Sequence, residues 1–226
     1  MSTGDCMELA QIEENLKNPD FQYRLKAVAA LKNYDPEIAV PLLRSKLKDG
    51  EFLVRSFVAM GLGKQKSPES FATLMEMMQF DDTPNVRAEA ANSLSLFGQV
   101  AVSHLVKSFH KDDHWLVRRS ILAALMEMEC PEEVFNVCVE SLKDTDLTTQ
   151  ESAIDALATL ANSSQHEKTL SQLLALVNNE SSRVRVRVVY ALKRFDEPQA
   201  KEALIKLRQD ENHRVIAAAL EDLLPK

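Results

Sequence analysis

The chain is expected to fold as an all-α solenoid of about seven two-helix repeats, and three observations lead there. A skeleton of Asp112, Val117, Arg118, Ile121, Ala124 and Leu125 recurs with its Val position at Tyr23, Val54, Val86, Val117, Thr149, Val184 and Val215. Successive copies are 31, 32, 31, 32, 35 and 31 residues apart, and a fixed period of about 20 to 50 residues marks a solenoid. Within a period the apolar residues keep helical spacing, as in Ile38, Leu42, Leu43 and Leu47. Composition agrees, because 45% hydrophobic and 6% aromatic residues with 5 Gly and 8 Pro suit an alanine- and leucine-packed helical core and leave few turn residues for a β-rich fold.

The repeats are placed at about 5–34, 36–63, 67–97, 100–128, 131–162, 166–195 and 197–224 of a single domain covering 1–226. Their first, or A, helices are expected at 5–16, 36–47, 68–78, 100–109, 131–142, 168–177 and 198–207. Pro36, Pro68, Pro131 and Pro198 open four of them, where a missing N–H costs nothing. Asp35 and Ser67 stand ahead as N-caps. The second, or B, helices are expected at 21–33, 52–63, 84–97, 116–128, 148–162, 183–194 and 214–224, with Gly63 ending the second. Val54, Val58, Gly61 and Leu62 then share the core face. Ala30, Ser93, Ala124, Ala156 and Ala191 occupy the Gly61 register, where small side chains let one repeat approach the next. The helix pairs are expected to be antiparallel and to stack in a right-handed superhelical arc without strands.

An Asp six residues before an Arg recurs as Asp49/Arg55, Asp81/Arg87 and Asp112/Arg118. The spacing predicts a ladder in which each Arg bridges the Asp of its own and of an adjacent repeat. Asn179/Arg185 weakens the pattern, and Asp144/Gln150 and Asp210/Ile216 lose the cation. A softer joint at the fifth repeat is expected, where the polar stretch 161–167 also absorbs the longest spacing.

Units of about 31 residues carrying D-x-x-x-x-V-R-x-x-A-x-x-A-L resemble HEAT repeats, in particular the short HEAT-like repeats of phycobilisome lyases, and the resemblance covers nearly the whole chain. It implies a scaffold more directly than an activity. Relatives of that kind include E/F-type phycobilin lyase subunits, a phycobilisome-degradation protein and deoxyhypusine hydroxylase, and many others are adaptors. The hydroxylase uses several His-Glu motifs to hold two irons, whereas this chain has His166-Glu167 alone, placed in the polar stretch. That disfavours the di-iron enzyme.

A net charge of −7 and a pI near 5.3 disfavour a nucleic-acid or anionic-membrane partner, since such binding rests on many cations meeting phosphates. Cys6, Cys130 and Cys138 lack CxxC spacing, which fits reduced thiols, and no apolar run is long enough to span a membrane. A soluble cytoplasmic protein is expected. His110, Asp113 and His114 form a candidate metal cluster. Against it, Asp112 belongs to the ladder and Trp115 shares the register of Phe21 and Phe52, packing over a repeat joint. No phosphate-cradling loop is present, Cys138 lies on an apolar stripe, and no catalytic or cofactor-binding residue is assigned.

The face of the B helices opposite the core is the expected binding surface. Its positions are Ser56, Met60, Gly63; Ala88, Asn92, Ser95; Arg119, Ala123, Met126; Glu151, Asp155, Ala158; and Val186, Tyr190, Lys193. Arg187, Tyr190, Lys193 and Arg194 form a basic cluster without an evident structural duty, with Arg119 extending it and Met60, Asn92 and Met126 as a soft floor. The leading expectation is a non-catalytic adaptor holding a protein client there, with no cofactor. By resemblance the client is a phycobiliprotein or photosynthetic assembly factor in a cyanobacterium. The alternative is a bilin lyase-like subunit that handles phycocyanobilin or a related linear tetrapyrrole, working with another HEAT-like subunit.

Overall fold

The computed structural model describes residues 7–221, and all of the regular structure in that range is helical. Fourteen α-helices follow in A/B order: α1 (Leu9–Asn15), α2 (Phe21–Ala30), α3 (Pro36–Arg44), α4 (Phe52–Gln65), α5 (Pro68–Phe80), α6 (Pro84–Ser95), α7 (Val102–Lys111), α8 (Trp115–Met126), α9 (Pro131–Ser141), α10 (Leu147–Thr159), α11 (His166–Ala175), α12 (Ser182–Leu192), α13 (Pro198–Leu207) and α14 (His213–Leu220). The expected seven pairs are therefore present. Two compact units divide them, Met1–Ala124 and Leu125–Lys226, with the boundary near the end of α8.

Several ends differ from the sequence reading for physical reasons. Helix α1 starts at Leu9, and the expected start at Asp5, like Cys6 and Leu224, lies outside the described residues. Gly98, at φ +72°, opens a 3₁₀ turn over Gly98–Ala101 that delays α7 to Val102. Ser67 caps α5 by accepting the Ser70 N–H, whereas Asp35 occupies the cap position of α3 without a side-chain bond. The polar stretch after α10 is shorter than expected, because Leu160–Asn162 form a 3₁₀ turn and α11 begins at His166.

Gly63 does not end its helix. Helix α4 runs on to Gln65 and stops at Lys66, which is left-handed at φ 50°. Gly63 is instead the contact between successive B helices, since a Cβ built there would lie 2.8 Å from Ser93 Cβ and 3.1 Å from Ser93 Cα on α6. Gly61, for which that close approach was expected, faces Leu43 of its own repeat, with the Leu43 methyls 2.9 and 3.2 Å from a built Cβ.

In each unit the A and B helices bury one another's apolar stripes, and the B helices also lie side by side, α2 on α4 on α6 and α10 on α12 on α14. Val54, Val58 and Leu62, and likewise Val184, Val188 and Leu192, are essentially inaccessible. Cys138 on α9 is likewise inaccessible, at 0% exposure, and burial pushes its thiol up to about 12.

The ladder bridges adjacent repeats as expected, but its bond within the repeat goes to a main-chain carbonyl rather than to the carboxylate. Three of its arginines reach their own repeat through a main-chain carbonyl, with Arg55 Nη1 2.8 Å from Asp49 O, Arg87 Nη1 3.0 Å from Asp81 O and Arg185 Nη1 2.7 Å from Asn179 O. The carboxylate partner of each belongs to the following repeat: Arg55 meets Asp81 at 2.8 and 3.0 Å, Arg87 meets Asp112 at 2.7 and 3.2 Å, and Arg185 meets Asp210 at 2.8 and 2.9 Å. Arg24 makes the same bonds to Asn18 O and Asp49, a rung the sequence reading missed because Asn18 hid the motif. A carbonyl suffices on the near side, so Asn179/Arg185 is a full rung rather than a weakened one. Arg185 beside it holds the Asp210 carboxyl below the usual carboxylate range.

The acid has a second duty. Asp49, Asp81, Asp112, Asp144 and Asp210 each accept the N–H two residues on, at 2.8–3.1 Å, and Asn18 and Asn179 do so too. Either residue type makes this turn, but an ionised Asp makes the stronger partner for the arginine. Asn179 follows the one repeat of unit 2 whose ladder position is Gln150, and Gln150 keeps the near-side bond to Asp144 O at 2.6 Å. The joint between α10 and α12 has thus lost both charges together. In their place two ion pairs cross it on the opposite face, Arg183 with Glu151 and Arg187 with Asp155.

Candidate partner-binding face

Helices α10, α12 and α14 place the candidate site in the second unit. Asp146 caps α10 through the Thr149 N–H at 2.8 Å and Asn212 caps α14 through the Arg214 N–H at 3.0 Å, fixing where each helix starts. Burial of Val184, Val188, Ala191 and Leu192 turns the other side of α12 outward. Arg183, Arg187 and Tyr190, at i, i+4 and i+7, form that side.

These residues wall a groove of about 300 Å³ with Glu151, Val186 and Arg214. Arg183 grips Glu151 with two bonds, Nε at 2.7 Å and Nη2 at 2.8 Å. Arg187 Nη1 is 3.3 Å from Asp155, with both side chains nearly half exposed. Tyr190 is 43% exposed and Lys193 Nζ lies 5.4 Å from its ring centroid. Lys193 is mostly covered, with Glu221 3.9 Å away, and Arg194 is exposed beyond the end of α12, outside the groove. Two of the four residues read as free for recognition therefore have structural work: Arg187 crosses a helix joint and Lys193 covers Tyr190. The groove instead recruits Arg183 and Arg214, which share one repeat position immediately before Val184 and Val215. That common register was the available signal.

The remaining expected residues are distributed by unit. In the first unit Met60, 39% exposed, lies over a pocket of about 160 Å³ with Val28, Phe57 and Gly61, rimmed by Lys32 and Lys64. Asn92 on α6 and Arg119 on α8 are exposed. Met126, 36% exposed, falls in the second unit. Gly63, Ala88 and Ala158, also assigned to this face, are buried, Gly63 against Ser93 of α6.

The other chemical candidates resolve as follows. His114 Nδ1 accepts the Leu116 N–H at 3.2 Å, and its ring stacks on Trp115 at 6.0 Å. Trp115 is 46% exposed. Among the described residues no group of three or more His, Cys, Asp or Glu side chains is arranged to hold a metal ion. His166, in the first turn of α11, has both ring nitrogens facing acceptors: Nδ1 faces Ala161 O and Nε2 lies 2.5 Å from Glu197. Its ring also lies 5.1 Å from Phe195. The Ala161 carbonyl, then Glu197, hold the His166 pKa above its ordinary value. Burial, with Glu133 nearby, pushes the Cys130 thiol up to about 11.

The sequence matches HEAT repeats over residues 9–95, 47–126 and 135–224. The chain is a HEAT-repeat protein. Among solved structures, the E. coli protein YibA is 18% identical, with a TM-score of 0.65, over 97% of this chain and 85% of that one. The CpcE and CpcF complex of phycocyanin lyase from Nostoc sp. is also 18% identical, with a TM-score of 0.53, over 99% of this chain and 97% of that one. At that identity these likenesses concern the HEAT-repeat fold. Deoxyhypusine hydroxylase of Schizosaccharomyces pombe is 30% identical over 125 residues, 54% of this chain and 39% of that protein. The HEAT-repeat chain thus spans about two fifths of that relative's length. No helix among the described residues is long and apolar enough to cross a membrane.

Proposed function

We propose that this HEAT-repeat protein is a non-catalytic scaffold that holds a protein client on the B-helix face of its second unit. The observation that carries this reading is the groove between α10, α12 and α14, where exposed Tyr190 stands among Arg183, Arg187 and Arg214. Tyr and Arg are the side chains that most often dominate protein interfaces, and the arginine ends are displayed by helices whose cores are closed. By analogy with the phycocyanin lyase complex we take the client to be a phycobiliprotein, and a second HEAT-repeat subunit to be the assembly partner. That analogy also supports a second reading, a subunit that handles phycocyanobilin.

Affinity capture of a purified phycobiliprotein by the wild type and by an Arg187→Glu, Tyr190→Ser, Arg214→Glu variant tests the scaffold reading. The variant should lose at least tenfold in affinity, about 1.4 kcal/mol, with an unchanged helical circular dichroism signal. Equal capture by both would move the site off this face. Mixing the protein with phycocyanobilin separates the second reading, because a stoichiometric red-shifted complex is expected only of a bilin handler.

A further inference from the structure

The repeat allows the groove to be compared with itself one step along. Arg183 on α12 and Arg214 on α14 are equivalent positions, each immediately before the core valine of its helix. Arg183 finds Glu151 on the preceding B helix and binds it with two hydrogen bonds. Glu151 lies two residues after Thr149, and the equivalent place on α12, two residues after Val184, is Val186. Arg214 therefore faces an apolar residue where its counterpart has a carboxylate, and it makes no ion pair among the described residues. The same groove holds Arg187, whose contact with Asp155 is single, at 3.3 Å, and exposed on both sides.

We infer that Arg214 is the anchor for a carboxylate supplied by the client, and that the segment held in the groove is an acidic, partly apolar stretch of protein. The intramolecular pair shows the geometry: Glu151 and Asp155 are four residues apart on α10 and meet Arg183 and Arg187, four residues apart on α12. A client carboxylate on Arg214 repeats the Glu151–Arg183 half of that arrangement one step along, where the place of Arg187 is taken by Ala218. A second carboxylate a turn away shares Arg187 with Asp155, and an apolar side chain between them covers Val186 beside Tyr190. Glu151 is already committed to Arg183 and repels a client carboxylate, which directs the acid toward α14. A bidentate guanidinium–carboxylate contact gives both orientation and specificity, and the apolar floor keeps the pair from bulk water.

This inference rests on the scaffold reading but fails separately from it. The probe is a fluorescein-labelled helical peptide with two Glu residues four apart and Leu between them, compared by anisotropy with its Gln and Arg counterparts. The Glu peptide should bind the wild type at least tenfold more tightly than the Gln peptide. Arg214→Glu should abolish that preference and favour the Arg peptide, while Lys107→Glu, the same charge change on α7 of the other unit, should leave it intact. Equal binding of Glu and Gln peptides, or an Arg214→Glu protein that keeps the Glu preference, would overturn the assignment. Capture of a phycobiliprotein that persists in Arg214→Glu but disappears in the triple variant would overturn it too, leaving the scaffold reading in place.

Discussion

Restoring the missing rung measures what the ladder contributes. The perturbation is a double-mutant cycle of Gln150→Arg and Asn179→Asp, which rebuilds between α10 and α12 the pairing seen between Arg185 and Asp210. Ladder carboxylates are covered, with side-chain exposures of 5% at Asp49 and 8% at Asp81 and Asp210. Asn179→Asp alone therefore buries a carboxylate opposite a neutral amide and should cost about 1–3 kcal/mol. Gln150→Arg alone keeps the near-side carbonyl bond but lacks its far-side acceptor, so it should be nearly neutral. In the double variant two charge-assisted bonds of the kind seen at 2.8 and 2.9 Å form. Such bonds contribute about 1.5–3 kcal/mol each before the cost of desolvating both ions. A net coupling of about 2 kcal/mol between the two sites follows. Urea unfolding by circular dichroism, with hydrogen exchange of α10 and α12 to localise the gain, reads it out. High salt should reduce the coupling little, because a covered pair is poorly screened. A coupling below about 0.5 kcal/mol would refute the idea that the charges were lost as a pair.

Gly63→Ala should destabilise the protein by about 1–2 kcal/mol more than Gly61→Ala, because the new methyl meets Ser93 Cβ and Cα in the first case and movable Leu43 methyls in the second. Equal urea midpoints for the two would show that the close approach of α4 to α6 is not limiting. The His166 clamp should support the fold fully at about pH 4.5–6.5. The raised His166 pKa means its contribution is present below the ordinary histidine value and fades as pH rises through the folded one; Glu197, held low by its own main-chain N–H and then by His166, loses its contribution as pH falls through its folded value. The urea midpoint of the wild type minus that of His166→Asn should therefore shrink from pH 6 to pH 9, and a constant difference would contradict the clamp. In a Cys6→Ser background the native protein should react with a disulfide reagent at pH 8 only after unfolding, since burial holds Cys138 near 12 and Cys130 near 11.

The helix pairs were legible because one register, from Tyr23 to Val215, repeats the same buried positions in every unit. Helix order, the seven pairs and the closed cores at Val54 or Val184 all follow from it. Direction across the joints was not legible. The six-residue separation of Asp49 and Arg55 suggested a bridge to the Asp of its own and of an adjacent repeat, but not that the near side would use only the Asp49 carbonyl and that the carboxylate partner would lie 26 residues ahead. The face was read with the same partial success. Positions such as Met60, Asn92 and Tyr190 do point outward, but Gly63, Ala88 and Ala158 are buried, Gly63 against Ser93 of a neighbouring helix that a single-helix projection does not contain. Glu151 and Arg183 are 32 residues apart, and their pairing depends on how α10 and α12 sit side by side, which periodicity alone does not specify.

The wiring of the rungs bears on how such a chain can be cut and rejoined. Every arginine rung within a unit ties a cation in one repeat to an acid in the next, so severing the chain at Arg24/Asp49, Arg55/Asp81, Arg87/Asp112 or Arg185/Asp210 strands a guanidinium on one fragment and a carboxylate on the other. Between Gln150 and Asn179 the same cut leaves two amides, which water solvates at little cost. A circular permutant opened in the 163–165 turn, or a chimera that exchanges the last two repeats there, starts from electrically neutral ladder ends and has the exposed-face pairs Arg183–Glu151 and Arg187–Asp155 to preserve. Swaps made at any of the four arginine rungs named above need a matched acid and cation to travel with the donated repeat.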